Sequence, residues 1–180
     1  MINVSTKINS IDKLQRYIYC VNVLNGKETD NDFMDFLKQK FMRTLNDVID
    51  VNLKDGTTND EYIEEYKKNN IIQDTSDGFV LYNHTMADIS ELSPHTQAKY
   101  PNGFSIALAF EYGVGIVGEN TAKMGAWEYN VNKHNFAWRY KKDGQIYSTY
   151  GYEGMEIYRK TVTLINASMK SWLFEYLERM

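Results

Sequence analysis

Two carboxylates stand among aromatic residues in the second half of the chain: Glu111, and Glu128 next to Trp127. Paired carboxylates that flank a glycosidic bond are the working parts of glycoside hydrolysis, one as acid and the other as base or nucleophile. The rings of Trp127, Trp138 and Tyr140 would stack on sugar faces in such a site. The same rings read equally as core or as protein interface, where amphipathic aromatics are enriched. His84, His95 and His134 fall in no HxH, HxxxH or HExxH spacing, so a metal site would have to be assembled by the fold alone. Cys20 is the sole cysteine, which excludes an internal disulfide and a multi-cysteine zinc site, and it reads as a small core residue of a helix rather than as a nucleophile. Gly113-Val114-Gly115-Ile116-Val117-Gly118 lacks the Lys-Ser or Lys-Thr of a phosphate-binding P-loop and the glycine spacing of a dinucleotide turn, and reads as a flexible loop.

These residues must be held by elements that the hydrophobic spacing outlines. Ile11, Leu14, Ile18 and Val21 or Leu24, after a serine N-cap at Ser10, predict a first helix that ends at Asn25-Gly26. Asp30-Asn31-Asp32 opens a longer one, with Phe33, Phe36, Leu37, Phe41, Leu45, Val48 and Ile49 on one face as far as Leu53. A third, short helix follows Thr57-Thr58-Asn59-Asp60 and carries Tyr62, Ile63 and Tyr66; its acids and lysines make a solvated face. The period then changes. Ile71-Ile72 and Phe79-Val80-Leu81-Tyr82 predict a hairpin around a five-residue loop, Asp74 to Gly78. Residues 86–103 are polar, contain Pro94, Pro101 and Gly103, and predict a long surface loop.

Phe104 to Tyr112 is a nearly continuous apolar run, helix or strand by periodicity alone. Residues 127–152 hold eight aromatics, and Phe136, Trp138 and Tyr140 alternate as one face of a strand does. A turn at Lys142-Asp143-Gly144 leads to a partner strand, Gln145 to Tyr150. Met155, Tyr158, Val162, Ile165, Met169, Trp172 and Tyr176 alternate steps of three and four, which predicts a final helix that either covers the sheet or forms a helix–helix seam with another chain. The expected class is α+β, a small, mostly antiparallel sheet packed by N-terminal helices and a long C-terminal amphipathic helix. One domain over residues 1–180 is expected, with a helical part at 1–70, a strand-rich part at 71–152 and the last helix at 153–180.

Composition narrows the function classes. With 43% hydrophobic and 24% charged residues over 180 positions, the chain has the make-up of a globular domain large enough for a core. The net charge is −4; the first hundred residues hold 11 basic and 16 acidic side chains, the rest 9 and 8. Neither part offers the basic surface that sequence-independent nucleic-acid binding needs. No apolar run reaches the length of a membrane span, and no basic-then-apolar leader opens the sequence, so the expected compartment is the cytoplasm.

One ordered set of segments goes further. Ala107-Leu108-Ala109-Phe110-Glu111-Tyr112-Gly113-Val114-Gly115, then Trp138-Arg139-Tyr140 before a Lys-Asp-Gly turn, then Tyr147-Ser148-Thr149-Tyr150-Gly151 and a closing amphipathic helix, resembles the neck or tail-completion proteins of tailed bacteriophages, the lambdoid-type tail component family. The likeness covers residues 79–180, with valine after Gly113 where the family often has threonine and without the Pro-Phe-Leu element many members carry before the last helix. It implies a virion component, or one of a headless contractile particle, assembled in the bacterial host cytoplasm and not an enzyme. It implies a homo-oligomeric ring, a hexamer, at the neck, which completes or caps the tail and joins it to the head connector or adaptor protein. Further implied neighbours are the tail tube protein and, in contractile particles, the sheath; no sequence-specific nucleic acid, membrane, cofactor or metal is implied. Glu111, Tyr112, Gly113, Trp138, Tyr140, Tyr150 and Gly151 match the family pattern, with structural and interface roles and none catalytic. The residues by themselves leave two other readings, a carbohydrate-binding or cell-wall-active module built on the aromatic strands with Glu111 and Glu128, and an intracellular adaptor that binds through the C-terminal heptads.

Overall fold

The computed structural model describes residues 11–54, 60–76, 78–87, 90, 94–99, 101–103, 105–113, 138–142, 145–149 and 153–179, and for 95–96, 99, 138–142 and 146–149 their backbone. Helix α1 spans Ile11–Leu24 and stops where the sequence predicts. The Lys27 N–H donates to Asn22 O at 2.8 Å and the Gly26 N–H to Val23 O at 2.9 Å, the paired bonds of a Schellman end. Gly26 has φ +66° with open space around it, so the left-handed backbone rather than crowding asks for glycine there. Helix α2 spans Asn31–Leu53, and the Asp30 carboxylate accepts the Phe33 N–H at 2.9 Å as its N-cap. Helix α3, Asp60–Lys68, places acids in its first turn and lysines in its last, in the sense the helix dipole favours.

Strands β1 (Asn70–Thr75) and β2 (Gly78–Asn83) form the first antiparallel hairpin. Its connection is tighter than the expected five-residue loop: Asp74 pairs with Phe79 and Thr75 with Gly78, which leaves two residues for the turn. The predicted surface loop at 86–103 also needs correction. Residues Pro94–Lys99 are helical (α4), with proline at the first helical position, where its missing N–H and fixed φ cost nothing. Met86 bridges to Ser105 and the Ile106 N–H donates to Thr85 O, so both ends of this segment are held together.

The ambiguous apolar run resolves as helix α5, Ile106–Tyr112, capped by the Ser105 hydroxyl. Strands β3 (Trp138–Lys142) and β4 (Gln145–Thr149) make the second antiparallel hairpin, with Lys142 opposite Gln145 as the turn residues predict. Helix α6 spans Ile157–Arg179. The chain is therefore an α+β protein, and among the described residues two short hairpins accompany the helices.

Helices α2 and α6 run antiparallel and carry most of the core. Phe33 and Phe36 meet Tyr176 at ring distances of 4.8 and 5.4 Å, and at the other end the Lys160 ammonium donates to Asn52. The first half of α2 packs with α1 and the end of α6 through Cys20, Val23, Phe36, Leu37, Phe174 and Leu177. Its second half packs with α3, α5 and the start of α6 through Leu45, Ile49, Leu53, Ile63, Tyr66, Phe110 and Ile157. Each buried Leu or Ile contributes roughly 1.5–3 kcal/mol through apolar burial.

The final helix differs from the expected heptad seam, since Val162 is 55% exposed. The inward row is Ile157, Thr161, Ile165, Met169, Leu173 and Leu177, every fourth residue, the ridge that packs into a neighbouring helix's grooves. A threonine is tolerated in that row because its hydroxyl donates to the Ile157 carbonyl at 2.7 Å. Among the described residues the main partner of α6 is accordingly α2 of the same chain; Trp172 stands 6.0 Å from Phe41, which in turn meets Phe79 of β2 edge-on.

Buried amides fix the first hairpin. Asn83 donates to Tyr66 O at 2.7 Å and to the Asn70 side chain at 2.8 Å, and accepts the Thr85 N–H at 2.8 Å; Asn70 passes the chain on to Asn46 of α2. A buried amide is tolerated only when satisfied in this way.

Candidate functional site

Of the residues singled out by their chemistry, Glu111 and Tyr112 end α5, Gly113 is its C-cap, and Glu111 meets the start of α6. The first turn of a helix leaves its N–H groups without intrahelical acceptors. Glu111 fills that need from a different helix: one carboxylate oxygen accepts the Tyr158 N–H at 2.7 Å and the other the Arg159 N–H at 3.2 Å. The carboxylate thus does for α6 what a local Ser or Asp cap does elsewhere.

The backbone reinforces the junction. The Gly113 N–H closes α5 on Ala109 O at 2.8 Å, and Gly113 itself sits at φ +79°, which favours glycine. The Met155 N–H donates to Phe110 O at 2.6 Å, and Glu156, whose carbonyl accepts the Lys160 N–H, has φ +52°. A left-handed conformation in a residue with a side chain costs roughly 1–2 kcal/mol. The pair of carboxylate bonds and the Met155 bond hold the chain through that bend.

Burial pushes the Glu111 carboxyl above the usual carboxylate range; the two backbone N–H groups pull it back in part, and Glu156 nearby adds to the rise. Tyr158 is pushed up to about 12, chiefly by burial, and its hydroxyl is buried near the Asn83 backbone without a hydrogen bond of good geometry. Glu111 thus has each carboxylate oxygen engaged by a backbone donor of α6.

The remaining sequence-marked residues separate into four groups. Trp138 and Tyr140 lie two apart on β3, hence on one face of the second hairpin, opposite Thr149 and Tyr147. Tyr150, Gly151, Trp127, Glu128, Phe136, His134 and the glycine loop beyond Gly113 lie outside the described residues. His84 is exposed just after β2 and His95 is on α4; among the described residues no group of three or more His, Cys, Asp or Glu could hold a metal ion. Cys20 is buried, and burial pushes its thiol up to about 11, so it has little thiolate for nucleophilic attack at neutral pH. Among the described residues no helix is long and apolar enough to cross a membrane.

Sequence reasoning did not find one feature, a groove of about 480 Å³ between the second half of α2 and the first third of α6. Val48, Val51 and Leu164 line it, with Asp47, Arg159 and Lys160 at its sides. Its only sequence signal is apolar residues on faces that the two helices do not use for each other, Val51 at 79% and Leu164 at 48% exposure. No family model, no curated protein and no solved structure matches the chain.

Proposed function

We propose that this chain is a structural, non-enzymatic component of a bacteriophage-type tail, forming a homo-oligomeric ring at the neck that caps the tail and meets the head connector. The observation that carries the reading is the use of Glu111. In the segment that resembles the tail-component family, the acid next to Tyr112 and Gly113 caps a long helix from a distance. That is a scaffold role, which suits a family motif without catalysis and weighs against the glycoside-hydrolase reading of the same carboxylate. Trp138 and Tyr140 stand at alternate positions of β3, and residues of these types are enriched where proteins meet, which supports an interface role.

The test is electron microscopy of tail tubes incubated with the gold-labelled chain. The reading expects label at a single end of each tube, with the hexamer as ring. Label absent from tubes, together with binding on a glycan array, would replace it with the carbohydrate-binding module.

A further inference from the structure

Helix α6 is held in two different ways along its length. At its far end Leu173, Phe174, Tyr176 and Leu177 are buried, and the Lys40 and Arg179 cations sit over the Phe36 ring of α2 at 5.3 and 4.8 Å. Glu175 pairs with both cations, so packing and charge together fasten this end to α2. Over residues 157–164 the buried side chains are Ile157 and Thr161.

The entry to α6 combines a strained bend with the bonds that hold it. Glu156 sits at φ +52°, the left-handed region that is costly for a residue with a side chain, and its carbonyl accepts the Lys160 N–H at 2.9 Å. Three bonds fasten that bend to α5. The Met155 N–H donates to Phe110 O at 2.6 Å, and the Tyr158 and Arg159 N–H groups donate to the Glu111 carboxylate at 2.7 and 3.2 Å. Releasing them lets Glu156 return to an ordinary conformation, so the strain favours an open form while the bonds and the burial of Ile157 favour the closed one.

We propose that the start of α6, residues 156–161, is a conformational latch that opens and closes on α5 through Glu111 as one unit, while residues 173–177 stay folded on α2. Local opening takes place where few contacts hold a segment, and here a strained bend is held by a small set of bonds to one short helix. Glu156, Arg159 and Lys160 line the α2–α6 groove, so an open latch removes that part of its wall and the groove's shape depends on α5. Glu111 is the positioning residue of the device. The latch operates in a single chain and is independent of the ring reading above.

The experiment is native-state amide hydrogen exchange, read residue by residue by NMR on the full chain at rising urea below its unfolding midpoint. The amides that decide are Lys160 and Thr161, which are held in the ladder of α6 itself and do not bond Glu111. In the unaltered chain they are expected to share one opening that is at least about tenfold more populated than the opening of residues 173–177 and nearly independent of urea, since a small unit exposes little surface. Glu111→Ala is expected to raise that opening roughly five- to thirtyfold, the equilibrium effect of a lost cap. Glu111→Gln, which keeps one acceptor oxygen, is expected to stay within about threefold of the unaltered chain. Lys160 and Thr161 opening only with the urea dependence of residues 173–177 would make α6 a single unit and overturn the proposal, a result that needs no variant. Faster exchange at Tyr158 and Arg159 alone in Glu111→Ala, with Lys160 and Thr161 unmoved, would also overturn it, because the carboxylate would then cap two amides without latching the turn.

Discussion

Replacing Glu111 separates the acceptor it provides from the charge it bears. Alanine removes both hydrogen bonds to the first turn of α6, at Tyr158 and Arg159. Loss of an N-cap side chain costs about 0.5–2 kcal/mol, and the part-buried Tyr158 N–H left unpaired places this case in the upper half of that range, about 1–2 kcal/mol. For a chain of this length that is a fall in melting temperature of roughly 2–8 °C. Glutamine keeps one acceptor oxygen and removes the charge. Because burial holds the Glu111 carboxyl above its ordinary value of 4.5, the folded state binds that proton more tightly than the unfolded state. The group's contribution is therefore fully present below the ordinary carboxylate pKa and declines as pH rises through the raised value. Glu111→Gln should then lie within about 0.5 kcal/mol of the unaltered protein at neutral pH. Its relative stability should improve as pH is taken upward from about 4.5. Urea denaturation at several pH values reads both effects. A glutamine variant as damaged as the alanine one, or a gap that moves the other way with pH, would refute the reasoning, as would an alanine variant indistinguishable from the unaltered chain.

Three further outcomes follow from the packing. Asn83→Ala strands the Thr85 N–H and the Tyr66 carbonyl in a buried place and should cost about 2–3 kcal/mol in urea denaturation, whereas a cost under about 0.5 kcal/mol would show that the amide chain does not fix the hairpin. Thr161→Val keeps the shape of the α6 ridge and removes a hydroxyl bonded only within its own helix, so thermal unfolding should move by less than about 1 kcal/mol in either direction; a larger loss contradicts that assignment. Cys20 should resist a thiol-specific disulfide reagent in the folded protein at pH 8 and react at once in denaturant, and rapid labelling of the native chain would overturn its placement in the core.

Much of the helical layout was legible in residue types with local mechanisms. Asp30 caps α2 and Gly26 ends α1 because a carboxylate and a left-handed glycine each act within a turn of the chain. The seven buried apolar residues of α2 lie on one face because a helix must bury one side. What was misread depends on partners. The first hairpin is tighter than its polar residues suggest, because Asp74 and Thr75 join the ladder opposite Phe79 and Gly78. Helix α4 was hidden in a polar segment where only Pro94 marks a start. Hydrophobic spacing points the α6 seam through Val162 where Thr161 turns inward, because a threonine that bonds its own helix behaves as an apolar residue and no pattern of hydrophobicity records that.

The candidate site was legible as residues and not as roles. Glu111, Tyr112 and Gly113 stood out by their order, yet the capping of α6 by Glu111 joins positions 47 and 48 residues apart. Spacing rules act within a helix turn or a strand pair, so a cap delivered from another helix leaves no local signature. The α2–α6 groove was invisible for a related reason, since it exists only once two distant helices lie side by side.

Native mass spectrometry of the purified chain, alone and with tail particles depleted of it, tests the central claim most directly. A closed hexamer, or incorporation into the depleted tails, is the predicted result. A chain that stays monomeric and joins no particle at any concentration contradicts the account.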